Sequence, residues 1–458
     1  MKHCILVTAT FLGLSCFAVG ADGVELRVST FKLDVTPPAG SPLCDGLVPP
    51  ATGVNDPLTA RGIVLQADSD KPVILVAVDW VGIGNEGHDA WREAIAVACG
   101  TRRDRVCVHA LHQHDAPGCD FLADRIAAEA GLAGEEFPVE FARDSIRRAA
   151  DAAVKACSNL ERVTHVGYGK GRVDKVASNR RILGTDGKVQ FARMTACKDP
   201  KIRAFPEGTI DPDVRLVSFW NDDRPVAVLS YYATHPQSYY YTGKVSADFV
   251  GMARDQREAA EKAGRHIHFN GAGGNIGAGK YNDGSPENRP VLAGRLAAGM
   301  KLAWDNTQKS AVDDLDFDWA TRELRLPLTE LYDEAERTAT LHNTQTPIAQ
   351  RVRAARDIAW ARRVGDGHTV TAARLRLGAI DVVHLPGELF VEYQLAAQNL
   401  RPEAFVCVAA YGDYGPGYIG TAEAYLQGGY ETGSDSGVSR VSPRAEQVIM
   451  QAVGELLQ

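Results

Sequence analysis

The sequence offers little cysteine chemistry. It has nine cysteines in 458 residues, and no two have the C-x-x-C spacing of a thiolate metal site or a redox motif. Without Cys4 and Cys16 near the start, seven remain, too few for a disulfide framework in a chain of this size. Cys99 and Cys107 are close enough in sequence to pair across a short turn, but sequence does not establish that bond. We therefore expect any bound metal to rely on nitrogen and oxygen ligands.

Clustered positive charge and long apolar runs are also missing. The formal net charge is −8, from 50 Lys and Arg against 58 Asp and Glu, and no cluster of basic residues stands out. Nucleic acid is therefore not an expected partner. No stretch beyond the first residues is long and apolar enough for a transmembrane helix, so the mature protein is expected to be soluble. The sequence does not indicate an oligomeric state.

The first 21 residues have the pattern of a secretory signal peptide. Lys2 supplies positive charge, residues 5–19 form a short apolar run, and small side chains allow cleavage after Gly20 or Ala21. Lipidation at Cys16 is the weaker alternative, because lipidation signals usually have leucine three residues before the cysteine and this chain has Gly13 there. We expect export, to the periplasm or out of the cell.

The remaining chain, residues 22–458, is expected to form one large α/β domain, with a mixed α+β arrangement as the alternative. Sequence repeats, low-complexity segments and dividing linkers are not evident. Hydrophobic patterning predicts strands at 73–78, 106–111, 214–220, 226–234, 266–269, 373–377, 380–385 and 405–410. It predicts helices at 89–99, 139–157 and 389–399, with one or two more over 330–364.

Five of the predicted strands end directly in a loop rich in polar residues or glycine. The loops are 112–115, 235–238, 270–279, 386–388 and 411–418. In open α/β sheets, ligands bind in the crevice outside the carboxyl ends of the strands. If these strands share a sheet, several of the loops should meet at one pocket.

Three histidines in one of these loops point to a metal. His109, His112 and His114 fall within six residues at the end of a buried strand, and neutral histidine is the commonest metal ligand. The alternative is a polar loop with incidental histidines. Neither H-x-H-x-D-H nor H-E-x-x-H fits, since Asp115 follows His114 directly.

Other candidates are weak when taken singly. A single histidine after a strand, such as His235, more often has a structural role than a catalytic one. Glu388 precedes a predicted helix, where a carboxylate also suits the positive end of the helix dipole. A single tyrosine such as Tyr418 commonly packs in the core or makes a hydrogen bond. The glycine-rich segment 271–280 satisfies G-x-x-x-x-G-K, but Tyr281 stands where a phosphate-binding loop needs Ser or Thr. Its glycines instead suit close approach of the backbone to a ligand.

Taken together, these segments resemble the neutral/alkaline (non-lysosomal) ceramidase family from about residue 31 to about residue 430. Each match is short, but six occur in the same order. They are D-V-T-P-P at 34–38, D-P-L-T-A-R at 56–61, L-H-Q-H-D-A-P at 111–117, A-T-H-P at 233–236 with S-A-D at 246–248, L-P-G-E-L at 385–389, and Y-I-G-T at 418–421.

The resemblance implies a ceramidase-like catalytic domain that binds one Zn²⁺ through His112, His235, Glu388 and Tyr418. It implies that His114 faces the substrate and stabilises charge on its carbonyl oxygen. The pair Asn179-Arg180 is similar to a family pair near the substrate.

Three departures qualify the resemblance. Gly277 stands at the position of the family's serine, and Asp115 replaces the serine after the histidine pair. The chain also ends at Gln458, which leaves no room for the C-terminal β-sandwich of the full-length enzymes.

We therefore expect a zinc-dependent hydrolase of an amide or ester bond. It would act on a small-molecule or lipid N-acyl substrate through zinc-bound water, with Asp115 as proton acceptor. The principal alternative is a non-catalytic exported binding protein that retains the pocket. A metal-dependent phosphoesterase or carbohydrate-active protein is a third, weaker possibility.

Overall fold

A computed structural model describes Met1 and residues 25–68, 70–261, 264–313, 315–433 and 438–458. The expected signal peptide, residues 1–21, lies almost wholly outside the described residues, and export stays a prediction.

The first part of the chain builds one sheet and three helices. Its elements are β1 (Leu26–Asp34), β2 (Gly53–Val54), β3 (Thr59–Ala67), β4 (Val73–Val78), β5 (Gly82–Ile83), α1 (Asn85–Ala98), β6 (Val106–Ala110), β7 (Gly118–Cys119), α2 (Phe121–Glu129), α3 (Val139–Cys157) and β8 (Glu161–Arg162).

The middle part builds a second sheet. Its elements are β9 (His165–Arg172), β10 (Ser178–Asn179), β11 (Arg181–Leu183), β12 (Val189–Ala192), α4 (Pro200–Ala204), β13 (Asp213–Asn221), β14 (Arg224–Tyr232), β15 (Lys244–Val245), α5 (Asp248–Glu261), β16 (Arg265–Asn270), β17 (Ile276–Gly277), α6 (Asn288–Asp305) and β18 (Gln308–Ala311).

The last part builds a third sheet. Its elements are β19 (Phe317–Leu324), α7 (Glu334–His342), α8 (Ile348–Gly365), β20 (Val370–Leu377), β21 (Ile380–His384), β22 (Glu388–Leu389), α9 (Val391–Leu400), β23 (Phe405–Ala409), β24 (Tyr418–Ile419), α10 (Ala422–Gln427) and α11 (Ala445–Leu457).

The three sheets share one pairing pattern. Each contains a row of three antiparallel strands, extended by the antiparallel β8 in the first sheet and β18 in the second, and the last strand of the row pairs in parallel with a strand reached through a helix. The rows are β1-β3-β4 with β6 after α1, β9-β13-β14 with β16 after α5, and β19-β20-β21 with β23 after α9. The sequence shows no repeat, so the threefold pattern is one of structure alone.

The inner faces of the three sheets pack together in one apolar core, to which all three contribute buried side chains, including Leu65, Phe219 and Leu375. Each outer face is covered by helices: α1 and α3 on the first sheet, α5 and α6 on the second, α9 and α11 on the third. Burial on both faces explains the continuous apolar runs of strands such as β4.

The predicted class, α/β with a mixed arrangement possible, is confirmed in its mixed form. The predicted strands and helices are present, with 330–364 divided into α7 and α8. The strands before the five polar loops do not share one sheet but belong to three. Within the described residues, no helix is long and apolar enough to cross a membrane.

The cysteines are also placed differently from the suggested pairing. The seven in the described part of the chain are free thiols. Cys99, after the end of α1, interacts with Cys157 at the end of α3 rather than with Cys107.

Candidate active site

His112 is held in place by its own backbone and by one carbonyl. It follows β6 with φ of +67°, in the left-handed region that costs a residue with a Cβ about 1–2 kcal/mol. Its backbone N–H donates to Trp80 O, and its Nδ1, 2.6 Å from Val81 O, donates to that carbonyl. Because a carbonyl only accepts, Nε2 keeps a free lone pair.

His235 is oriented in the same way after β14. Its Nδ1 lies 2.7 Å from Gly273 O and donates to it, which leaves Nε2 as an acceptor. A Cβ on Gly273 would come 2.8 Å from Thr234 backbone atoms, so only glycine fits this close approach of the 270–279 loop. Gly273 therefore allows its loop to approach the backbone of Thr234 closely enough for its carbonyl to bind His235.

Glu388 and Tyr418 lie side by side because β22 and β24 pair in parallel, with Glu388 opposite Tyr418. The helix after Glu388 begins only at Val391, so this carboxylate is not in its first turn. The pairing of two short strands joins the loop after β21 to the loop after β23, so the third sheet supplies both an acidic and a phenolic oxygen.

The four predicted zinc ligands come together. Glu388 Oε2 lies 3.1 Å from His112 Nε2 and 3.3 Å from His235 Nε2, and Tyr418 Oη lies 3.1 Å from His235 Nε2. Four donors around a tetrahedral zinc, each about 2.05 Å away, are separated by roughly 3.3 Å. We call these four residues the strand-end site.

Two donor atoms of this site are buried without a protein partner. His112 Nε2 and Glu388 Oε2 have no hydrogen bond to any described residue, although both residues are at most 2% exposed. Leaving such atoms unpaired costs about 1–3 kcal/mol each. Imidazole and carboxylate donors in this arrangement fit Zn²⁺, so the residues present suit the metal that the sequence predicts.

Burial favours the neutral form of His235 and His114, and the neutral imidazole is the form that binds a metal. Desolvation, together with the charge of Arg180, lowers the pKa of His235 to about 4. Desolvation and the nearby His112 hold the pKa of His114 well below its ordinary value.

Arg180 brings a buried positive charge to the site. Its Nη2 donates to Tyr418 Oη at 2.8 Å and to Gly274 O at 2.6 Å, and its Nε donates to Glu431 at 2.7 Å. Asn179, its neighbour, pairs in β10 with Ile276 of β17. The guanidinium is therefore fixed beside the phenol oxygen of one predicted ligand.

A cavity of about 480 Å³ opens over the site, lined in part by His114, Arg180, His235 and Tyr418. Three consecutive tyrosines, Tyr239, Tyr240 and Tyr241, also line it, together with Tyr430, and the exposed fraction of Tyr241 is 64%. The cavity joins a polar floor to an aromatic rim.

Asp115 supports this rim. Its carboxylate accepts from Tyr241 N at 3.1 Å and from Thr242 Oγ1 at 2.8 Å, and burial raises its pKa. Its predicted role as proton acceptor stays a prediction, but these contacts give it a positioning role.

His114 lines the cavity and makes one hydrogen bond that fixes its tautomer, while its predicted role at the substrate stays a prediction. Its Nδ1 lies 3.1 Å from His112 O and donates to it. Nε2 therefore carries a lone pair, and an imidazole in that state accepts a proton rather than donating one to an oxyanion.

This architecture is similar to that of solved ceramidase structures. A neutral ceramidase from Pseudomonas aeruginosa superposes with a TM-score of 0.68 at 18% identity, covering 95% of this chain and 74% of that chain. A ceramidase complexed with C2 superposes with a TM-score of 0.68 at 16% identity, covering 95% and 75%. The fold is ceramidase-like.

That likeness is one of fold, since no protein-family model matches the sequence and no curated protein matches it. It confirms the resemblance drawn from the short motifs as far as the fold is concerned. The roles of the strand-end residues stay predictions.

Sequence reasoning missed several supporting residues. Tyr414 donates its hydroxyl to Glu388 Oε1 at 2.8 Å, and the ring of Tyr411 stacks on His112 at 4.8 Å between centroids. Both lie in the 411–418 loop, where tyrosine density was a usable signal. Glu431, the partner of Arg180, has no local pattern that would have revealed it.

Proposed function

We propose that this protein is a zinc-dependent hydrolase of amide or ester bonds, acting on a small-molecule or lipid N-acyl substrate after export. The observation that carries the proposal is the set of four convergent donors under a cavity, two of them without a described partner. Such a site is open on the cavity side, as catalytic zinc sites are.

A bound Zn²⁺ would supply an activated water and polarise the carbonyl to be cleaved. The chain's own residues have separate tasks. His114 Nε2 accepts a proton from the attacking water and returns it to the leaving group. Arg180 holds Tyr418 by a charge-assisted hydrogen bond and places positive charge beside the reacting carbonyl.

The cavity supports an acylated substrate with one polar part. Tyr239, Tyr240 and Tyr430 offer apolar ring surface to a chain, while Gln237 and Ser238 lie among the polar lining. Carbonyl substrates held between rim and floor would present the scissile bond to His114.

The test uses a panel of N-acyl amides and esters with zinc present and with zinc chelated. Glu388→Gln should abolish turnover while the fold survives, because it removes the ligand charge at the centre of the site. Glu423→Gln, which changes an exposed carboxylate on α10, is the matched control and should keep full activity. Full activity in Glu388→Gln would rule out the ligand role.

A non-catalytic binding protein is the second candidate, and Gly277 favours it. This residue has no side chain to act as a nucleophile, and its backbone pairs with Ser178 between β10 and β17. Absence of turnover across the panel, together with saturable binding of an N-acyl compound, would support that function over the hydrolase.

A further inference from the structure

A second set of metal-binding side chains lies in the core between the sheets, apart from the strand-end site. Cys107, His109 and His384 each offer a donor atom, and the three atoms lie within 4.8 Å of one another. Cys107 and His109 alternate on β6, so both face the shared core, and His384 ends β21 of the third sheet. We call these three residues the core cluster.

The hydrogen bonds of the two histidines leave one nitrogen lone pair unsatisfied. His109 Nδ1 lies 2.7 Å from Ala410 O and donates to it, so His109 Nε2 holds a lone pair. That nitrogen accepts a hydrogen bond from His384 Nδ1 at 3.0 Å. His384 Nε2 is then buried with no partner among the residues described.

The surroundings give these groups little polar help. The ring of Phe269 packs against both His109 and His384, at 5.8 and 6.0 Å between centroids, and Trp319 lies 6.2 Å from His384. Tyr231 stacks on Phe269, and its hydroxyl is likewise buried without a hydrogen bond within the described chain. Unpaired polar groups in an aromatic core need a physical explanation.

Burial favours the neutral form of all three side chains. Burial lowers the pKa of His109 to about 3 and raises that of Cys107 to about 12. Burial and the nearby His109 also hold the pKa of His384 well below its ordinary value, so both imidazoles are neutral near pH 7. The thiol keeps its proton unless a cation displaces it.

We propose that Cys107, His109 and His384 bind a thiophilic transition-metal cation of the zinc type, independently of the strand-end site. The ligand nitrogens are His109 Nε2 and His384 Nδ1, whose separation of 3.0 Å is close to the roughly 3.3 Å expected for two ligands of one tetrahedral zinc, and the His384 proton moves from Nδ1 to Nε2 on binding. On binding, the Cys107 S–H bond breaks, the sulfur keeps the electron pair and bonds to the metal, and the proton leaves to solvent.

The role of such a metal is structural. The two histidines are buried and Cys107 is partly buried at the edge of the core, so the ion would reach the cluster from the side of Cys107 or as the chain folds. It would join β6 of the first sheet to β21 of the third. The sequence predicted that any metal relies on nitrogen and oxygen ligands, because no two cysteines have C-x-x-C spacing. That prediction would not hold for this site, since Cys107 would act as a single sulfur ligand beside two histidines.

The decisive experiment is zinc X-ray absorption on the unmodified, full chain, since the strand-end site contains no sulfur. Sulfur scattering at about 2.3 Å from zinc is expected. A zinc shell of nitrogen and oxygen alone would overturn the proposal, even if the strand-end site proved fully active.

Variants give a second, separate measurement. Protein loaded with Co²⁺ should show a thiolate-to-cobalt charge-transfer band in the wild type and in His112→Ala. The band should be lost in Cys107→Ser and kept in Cys407→Ser, which changes a buried thiol of the same core. A band that survives in Cys107→Ser would contradict the assignment.

Discussion

Glu388 and Tyr418 stand opposite each other on two parallel two-residue strands, so backbone pairing sets a carboxylate and a phenol side by side. The carboxylate is further fixed by Tyr414, whose hydroxyl lies 2.8 Å from Glu388 Oε1. Its other oxygen, Oε2, is left facing His112 and His235. The geometry of the site thus depends on the loop after β23 as much as on the histidines.

Replacing Tyr414 by Phe should weaken zinc binding at the strand-end site. Removing the partner of a metal-ligating carboxylate typically costs 10–100-fold in affinity. Competition with a chromophoric chelator measures the change. Tyr411→Phe is the control, because the Tyr411 hydroxyl has no hydrogen bond to the described residues and its loss should leave affinity unchanged. Equal effects of the two variants would show that Tyr414 does not support the ligand.

Asp115→Asn and Thr242→Val should have similar effects on substrate binding. Thr242→Val removes the hydrogen bond from Thr242 Oγ1 that anchors the tyrosine rim, and Asp115→Asn weakens it by removing the charge of the acceptor, so we expect KM to rise by up to about tenfold, as for loss of roughly 1.4 kcal/mol. Steady-state kinetics on the best substrate of the panel separates KM from kcat. If Asp115 is instead the proton acceptor, Asp115→Asn alone should lower kcat, by about 10²–10⁴-fold.

Gly277→Ser should not restore a serine-dependent reaction if the chain uses water as its nucleophile. A Cβ at this position would lie 3.2 Å from Met194 O, a tight contact that a small shift can relieve. We expect turnover close to that of Gly277→Ala, which adds the same Cβ without the hydroxyl. A large gain in the serine variant alone would mean that the glycine had removed the nucleophile.

Lowering the pH should destabilise the protein through buried histidines away from the site. Burial lowers the pKa of His88 to about 4, of His266 to about 4 and of His268 to about 3. Below the unfolded pKa of about 6.5, the unfolded chain binds protons that the folded chain does not. Each group should cost about 2 kcal/mol of stability at pH 5 relative to pH 7.5.

Urea unfolding at the two pH values measures this loss. Asp120, whose pKa burial raises to about 6, works in the opposite direction and offsets part of it. His268→Gln is the control variant, and its stability should depend less on pH by about 2 kcal/mol. Equal pH dependence in the variant and the wild type would contradict the assignment to His268.

Much of the fold follows from local patterns. The apolar run 73–78 coincides with β4, because a strand buried on both faces is apolar at every position. The apolar residues at helical spacing in 139–157 coincide with α3, because an amphipathic helix buries one face. The division into three sheets could not be predicted in this way. Tertiary packing decides which strands pair. A buried strand has the same hydrophobic pattern whether the strands form one sheet or three, so that pattern does not reveal the number of sheets.

The site was predictable to the extent that strand ends carry unusual residues. His112, His235 and Glu388 were visible after apolar runs, and family resemblance joined them to Tyr418. Asp115 could not be assigned a partner, since Thr242 lies 127 residues away in sequence. The tautomer of His114 likewise depends on a carbonyl that only the folded backbone brings close.

The most direct test of the central claim is the zinc content of purified protein, compared between the wild type and His112→Ala. The account predicts that the variant contains about one zinc per chain less than the wild type and loses turnover, since tetrahedral sites rarely survive loss of a histidine ligand. Equal zinc content in the two proteins would contradict the account, because His112 would then hold no metal.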